Sequence, residues 1–305
     1  MSREFTQIQW DEQLADDCRQ LARLAVREDL DRGHDWTTLS LLSADQTAQV
    51  AVVVRESGVI AGLPAAQIVL DEMNIKADWT SLVDDAIDVA KDTVVAQLSG
   101  NARDLLTSER SLLNFIGHLS GIATLTQEYT STVANTKTKI YDTRKTTPGW
   151  RRLEKYAVRC GGGTNHRTGL FDAILIKDNH LAVAGDQQLG PAQSVEQARE
   201  FAQQLAEDSN HAEPMIIEVE VDTLDQLRDV IAATPDIVLL DNMTPDELRR
   251  AVEMRNGSNP DTELEASGGI NLSTVAAIAE TGIDRISVGA LTHSAPCLDV
   301  GMDWN

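Results

Sequence analysis

The stretch DTRKTTPGWRRLEKYAVRCGGGTNHRTGLFDAILIKDNH, residues 142–180, begins at the end of one short apolar segment and closes at the end of the next. Residues 139–143 and 173–177 read as strands. Between them 148–159 reads as a helix, with Thr147 expected at its N-cap and Pro148 at its first position. Gly161-Gly162-Gly163 is expected to end that helix and free the chain to turn. The same rhythm continues toward the C-terminus. Strands are expected at 215–221, 237–241, 264–267 and 285–288, and helices near 194–207, 224–232, 245–255 and 272–280. Alternating β and α implies a parallel sheet. Polar or glycine residues recur at the strand ends: Arg144, Lys177, Glu220, Asp241, Ser267-Gly268-Gly269 and Gly289. Parallel β/α barrels place their chemistry at those ends. Six strands fall short of eight, so the expected architecture is an incomplete six-stranded β/α barrel, with an open doubly wound sheet as the alternative.

Upstream the pattern differs. Residues 11–29 read as an amphipathic helix through Leu14, Cys18, Leu21 and Ala25. A β-rich run at 47–63 breaks at Gly58 and Gly62, and a short helix from Pro64 to Met73 follows. Residues 76–83 and 86–98 alternate, giving an α+β domain with antiparallel strands and helices on one face. From 103 to about 133 the pattern is one long helix, with Leu105, Leu112, Ile116, Leu119 and Ala123 on one face. Gly117 and Gly121 within it imply a close approach or a break. The expected division is an N-terminal α+β domain with the long connecting helix over 1–135, the barrel over 136–290, and a C-terminal tail over 291–305 expected to return to the N-terminal domain.

Charge narrows the function classes. The chain carries 26 Lys and Arg against 48 Asp and Glu, −22 net. The stretch 142–180 holds eight basic residues against four acids, leaving −26 for the rest. A basic island in an acidic chain concentrates positive potential where small anions are held. The overall charge argues against nucleic acid or an anionic membrane as partner. Cys18, Cys160 and Cys297 have neither CxxC nor metal-ligand spacing and are expected to be free thiols in a cytoplasmic, reducing setting. The first 17 residues lack the apolar core of a signal peptide, and no apolar run is long enough to span a membrane.

Three constellations suggest chemistry. Ser267-Gly268-Gly269 lets backbone approach a ligand, and a helix expected after Asn271 aims free N–H groups at the same place. With Gly289-Ala290, and His293 and Ser294 beyond, the late loops suit a phosphate. In MIIEVEVD, Glu218 and Glu220 face opposite to Ile217, Val219 and Val221. An inward carboxylate must be paired, hydrated or metal-bound. Glu220 and Asp241 could hold Mg²⁺, hydroxyls, or Lys145 or Lys177. His166-Arg167 directly after the glycines adds a planar donor fork suited to carboxylate or phosphate. By spacing alone, Arg110 is an exposed helical arginine.

These residues resemble the quinolinate phosphoribosyltransferase family. The resemblance is carried by 142–180 and by EDLDRGHDWTT, ERSLLNFIGHLSGIAT, IEVEVDTLDQ, IVLLDNMTPDELRRAV and LEASGGINLSTVAAIAETGIDRISVGALTHS, in order over roughly residues 28–294. It implies an N-terminal α/β sandwich, the six-stranded incomplete barrel, and a homodimer in which Arg110 completes the partner's active site. It implies that Arg144, His166, Arg167 and Lys177 bind the two carboxylates of quinolinate, that Thr143 also belongs to the substrate site, and that Lys145 serves substrate and phosphate. Glu220 and Asp241 would meet the ribose and Mg²⁺-pyrophosphate and, with Lys145, carry catalysis. Ser267, Gly268, Gly269, Gly289 and Ala290 would cradle the 5-phosphate, with His293 nearby. The implied reaction joins quinolinate to 5-phosphoribosyl-1-pyrophosphate, giving nicotinate mononucleotide, pyrophosphate and CO₂, with Mg²⁺ as cofactor.

Three other readings compete. A transferase of the same fold could take another acid without decarboxylation. A Schiff-base lyase could use Lys177 as nucleophile. A non-catalytic anion receptor would gain nothing from Glu220 and Asp241.

Overall fold

The computed structural model describes residues 4–184, 190–208 and 215–304. Two compact units emerge, one of Gln7–Glu128, Lys145–Gly163 and Ala290–Asn305, the other of Met1–Thr6, Tyr129–Arg144 and Thr164–Gly289. This differs from a division at 135 and 290 in two main places. Residues 145–163 group with the first unit, and residues 4–6 with the second.

In the first unit, α1 (Glu12–Leu30) starts where the Asp11 carboxylate accepts the Leu14 N–H at 2.8 Å. Its buried stripe is Leu14, Cys18 and Ala22, while the expected Leu21 and Ala25 are only half-buried. A short α2 (Trp36–Leu41), unforeseen from sequence, is capped by Asp35. Then come β1 (Thr47–Val54), β2 (Gly58–Val59), α3 (Leu63–Glu72), β3 (Ala77–Ser81), β4 (Asp88–Val89) and β5 (Val94–Asn101). The N-terminus of α3 is closed by Asp85, which accepts from the Gly62 and Leu63 N–H groups at 2.8 and 3.0 Å and from the Tyr156 hydroxyl at 2.8 Å. Burial still raises the Asp85 pKa. Helix α4 (Ala102–Thr132) is continuous, and the apolar face expected for it is buried.

The second unit is built on β6 (Lys139–Tyr141), β7 (Ala173–Ile176), β8 (Ile216–Val221), β9 (Ile237–Asp241), β10 (Glu263–Ser267) and β11 (Arg285–Ser287). All neighbours are parallel, in the order β6-β11-β10-β9-β8-β7. Each strand from β7 to β11 pairs with the next, and β6, first in the chain, lies beside β11, the last. A doubly wound sheet would reverse its order midway. Here the order winds one way, and β6 and β7 remain as the two ends, so the barrel is incomplete. Capping boxes at Thr223/Gln226 and Thr244/Glu247 start α8 (Leu224–Ala232) and α9 (Pro245–Ser258).

Four more helices differ from expectation. The one expected from Pro148 starts at Arg151, as α5 (Arg151–Cys160), with Trp150 in the cap position. Pro148-Gly149 instead forms a turn, in which the Trp150 N–H donates to the Thr147 carbonyl at 3.0 Å and Gly149 has φ +86°. Pro followed by a positive-φ Gly is the type II turn pair, and it overrides helix initiation. The helix expected over 272–280 is α10 (Val275–Ala279) only, because Asn271 and Thr274 close a turn first. Beyond β7, α6 (Asp178–Ala184) adds a helix not foreseen, and α7 (Pro191–Asp208) begins three residues earlier than expected.

After α11 (Ala290–His293), the chain ends in β12 (Val300–Trp304), which joins the first unit's sheet in the order β12-β1-β5-β3. The segment before β12 lies against α4. A Cβ at Gly121 would overlap the Pro296 carbonyl oxygen, and one at Gly117 would lie 3.0 Å from that of Leu298. These glycines allow a close approach; they do not break the helix.

Candidate active site

Just past β6, Asp142 is fully buried and ties down the loop that carries His166 and Arg167. Its carboxylate accepts the His166 N–H at 2.9 Å and the Asn165 amide at 2.7 Å. Thr164 runs beside Tyr141 as a parallel bridge. The next turn is closed by Asp172, which accepts the Thr168 and Gly169 N–H groups at 2.6 and 3.3 Å. Thr143 and Arg144 follow β6 and are half-buried.

Arg167 is buried, and one guanidinium nitrogen donates to the Ala173 carbonyl at 3.2 Å. Its pKa is lowered, first by burial and further by the charge of Arg144; Glu218 and Asp172 act the other way. The charges of Arg144 and Arg167 thus oppose each other. Past β7, Lys177 makes an ion pair with Glu220 of β8. This is one of the partners expected for that inward carboxylate. Asp241 ends β9 level with Ser267 of β10 and accepts the Asn242 side-chain amide at 2.6 Å. Gly268 (φ +95°) and Gly269 (φ +62°) follow; a Cβ at Gly268 would overlap the Asn242 side chain, whereas Gly269 faces open space.

Below this edge lies a cluster that sequence reasoning missed. Strand register puts Glu218 level with Leu175 and Ile237, and Glu265 level with Leu239 and Arg285. Both carboxylates are fully buried and converge on His166, whose Nε2 lies 3.0 Å from Glu218 and 3.6 Å from Glu265. Burial pushes Glu265 up to about 7, and the charge of Glu218 adds to the rise. The Phe5 ring lies 4.4 Å from His166, and the Arg285 guanidinium sits 5.6 Å over Phe5 and 4.7 Å over Tyr141. Arg285 also pairs with Glu263 and approaches Glu4 at 3.7 Å. Alternation placed Glu218 on the inward face; nothing local signalled Glu265, Arg285 or Phe5 as its company.

Arg110, Lys145, Ala290 and His293 belong to the other unit. Arg110 is exposed on α4 and lines a cavity of about 520 Å³ with Asn114, His118, Thr147, Trp150 and Cys297. Within it His118 lies 3.0 Å from the buried Glu154, and Trp150 stacks on Phe115 at 4.8 Å. Lys145 is exposed, and its carbonyl accepts the Thr292 hydroxyl at 2.8 Å. His293 is exposed and its Nδ1 contacts the Ser294 hydroxyl at 2.6 Å.

Comparison with known proteins finds relatives along nearly the whole chain. A protein from Mycobacterium leprae, "Nicotinate-nucleotide pyrophosphorylase [carboxylating]", is 42% identical over 290 residues, 94% of this chain and 97% of that protein. A Bacillus subtilis relative described as a probable nicotinate-nucleotide pyrophosphorylase [carboxylating] is 41% identical, covering 90% of this chain and 89% of its own. The solved nicotinate-nucleotide pyrophosphorylase from Francisella tularensis superposes with a TM-score of 0.85 at 40% identity, covering 95% of this chain and 97% of that one. Residues 35–120 match the family described as "Quinolinate phosphoribosyl transferase, N-terminal domain", and residues 122–303 match its C-terminal domain. The chain belongs to the quinolinate phosphoribosyl transferase family.

Proposed function

We propose that this chain transfers the phosphoribosyl group of 5-phosphoribosyl-1-pyrophosphate to quinolinate, releasing pyrophosphate and CO₂ and leaving nicotinate mononucleotide for the synthesis of NAD. The observation that carries this reading is the pair Arg144, directly past β6, and the buried Arg167, whose like charges oppose each other. A ligand with two adjacent carboxylates relieves that repulsion, and the fixed guanidinium forks match its geometry. Lys177 adds a third cation, and Thr143 a hydroxyl next in the chain to Arg144. Ser267, Gly268 and Gly269 provide exposed backbone for the 5-phosphate, with Gly289, Ala290 and His293 following in the chain.

The chemistry is electrostatic. As the bond from the anomeric carbon to pyrophosphate breaks, positive charge grows on the sugar. Glu220 and Asp241 supply fixed negative charge to stabilise it, and Lys145 supplies positive charge to the departing group. The ring nitrogen then bonds to the anomeric carbon and becomes a pyridinium. That cation accepts the electrons left behind when the adjacent carboxylate departs as CO₂, and the ring carbon takes up a proton.

Glu220 and Asp241 also fit Mg²⁺. They are oxygen donors on neighbouring strands, and Mg²⁺ is usually bound through one or two carboxylates and the substrate's own phosphates. Bound there, the ion would neutralise charge on the pyrophosphate.

In this reading the enzyme is a homodimer and Arg110 serves the partner's site; its exposure on α4 suits that role. No helix among the described residues is long and apolar enough to cross a membrane, and three free cysteines suit a reducing, cytoplasmic setting. The test is incubation with quinolinate, 5-phosphoribosyl-1-pyrophosphate and Mg²⁺. Nicotinate mononucleotide and CO₂ in equal amounts are expected. Turnover of nicotinate in place of quinolinate, or no product, rejects the proposal.

A further inference from the structure

The Glu218–Glu265–His166 cluster has the residue types of a metal site, and its potential ligand atoms lie within 4.8 Å of one another. The hydrogen bonds say otherwise. The Arg167 backbone N–H donates to His166 Nδ1 at 2.8 Å, so Nδ1 carries no proton. The neutral ring must then hold its proton on Nε2, the atom that faces Glu218 and Glu265. A protonated nitrogen cannot ligate a metal. A ligating histidine, moreover, almost always donates its second nitrogen's hydrogen, whereas here that nitrogen accepts. The contact to Glu218 is an electrostatic one, since among the described residues the Glu218 oxygens receive no well-aligned hydrogen bond.

Both ring nitrogens of His166 are therefore engaged inside the barrel. One faces the acid pair and the other holds the backbone of the residue that carries the Arg167 guanidinium. Glu218 acts on that guanidinium a second time, because its charge favours the cationic form of Arg167 where burial and Arg144 oppose it.

We infer that Glu218, with Glu265 behind it, is a positioning residue of the quinolinate pocket: it favours the Nε2–H form of the His166 ring and counterbalances Arg167, so that His166 orients the arginine. The inference rests on the proposed transferase reading, but half of its test does not.

That half is nitrogen NMR of the ligand-free protein with ¹⁵N-histidine, the signals of His166 among six histidines being identified by their loss in His166→Gln. A pyrrole-type Nε2 and a pyridine-type Nδ1 are expected. A protonated Nδ1 overturns the inference whether or not the protein turns over quinolinate. The other half is kinetic. Glu218→Gln is expected to raise KM for quinolinate roughly 10- to 100-fold, the scale of a misplaced binding group, while KM for 5-phosphoribosyl-1-pyrophosphate stays within about twofold. Glu218→Asp, which restores the charge, should recover part of the loss. An unchanged quinolinate KM, or an equal rise for both substrates, overturns the inference. Should Glu218→Gln fail to fold, Glu265→Gln takes its place; it leaves the counter-charge of Arg167 intact, so a smaller rise confined to quinolinate is expected, and a rise shared by both substrates is again refuting.

Discussion

Three glycines in helices give one substitution three different outcomes. Glycine in a helix interior costs about 1 kcal/mol relative to alanine, so Gly→Ala stabilises wherever the added methyl finds room. At Gly257, near the end of α9, nothing lies within 4 Å of an added Cβ. The expected gain is about 0.5 kcal/mol, the low end because helix ends fray. At Gly117 the Cβ would lie 3.0 Å from the Leu298 carbonyl oxygen. A shift of a few tenths of an ångström is needed, and its cost roughly cancels the propensity gain. At Gly121 the Cβ would overlap the Pro296 carbonyl oxygen and lie 2.9 Å from Cys297 Cα. The obstacle is backbone, which cannot rotate away as a side-chain tip can. Overpacking of this kind costs about 3 kcal/mol, leaving a net loss of about 2 kcal/mol after the gain in propensity. At about 2–4 °C per kcal/mol for domains of this size, the melting midpoint of Gly121→Ala should fall by roughly 4–8 °C. Thermal unfolding of the three variants should rank them Gly257→Ala, Gly117→Ala, Gly121→Ala in decreasing stability. A Gly121→Ala protein as stable as the parent would refute the packing of the C-terminal segment against α4. The same segment contributes Cys297 to the cavity lined by Arg110, so loss of this packing should also impair whatever Arg110 does.

The remaining expectations concern the site. Glu265 has a folded-state pKa raised to about 7 from 4.5; the folded state binds the extra proton, so this group's contribution is fully present below about pH 4.5, falls as pH rises toward 7 and is flat beyond. Stability measured by denaturant across that window should slope less in Glu265→Gln than in the parent, and an unchanged slope would contradict the assignment. Gly268→Ala should raise KM for 5-phosphoribosyl-1-pyrophosphate with little change for quinolinate, because the methyl displaces Asn242 and strains a residue at φ +95°; equal effects on both would place the phosphate elsewhere. Arg110→Ala and Lys145→Ala should each abolish most turnover, and mixed dimers should regain part of it if each site draws Arg110 from the partner. No recovery in verified mixed dimers rejects the shared site. Arg167→Ala should weaken quinolinate binding in calorimetry by a few kcal/mol and leave the phosphoribosyl donor nearly unaffected.

What could be read from the sequence was whatever a short window encodes. The barrel strands are legible because each is a brief apolar run ending in a polar residue or glycine, and α8 and α9 because their capping boxes are local. The helix expected from Pro148 was misread because Thr-Pro at a helix start and Pro-Gly in a type II turn share the same proline. Gly149 decided between them, with its φ of +86°. α2 went unseen because six residues carry no periodicity, and its cap, Asp35, sits in a run of polar residues. The candidate site divides along the same line. That Glu218 and Glu220 face inward follows from alternation, and that an inward carboxylate needs a partner follows from its desolvation cost. Which partner it takes does not follow, because Lys177, His166 and Glu265 reach these two residues from a neighbouring strand end, a loop and a strand farther round the sheet. Glu220 found the lysine that local charge had suggested. Glu218, two residues earlier on the same face, found a histidine and another acid, a pairing that charge complementarity alone would not choose. The asymmetry has a physical origin: at the strand end a lysine can keep its ammonium partly in water, whereas one level deeper a full positive charge would have to be stripped of solvent. A neutral imidazole can meet buried carboxylates there without that cost.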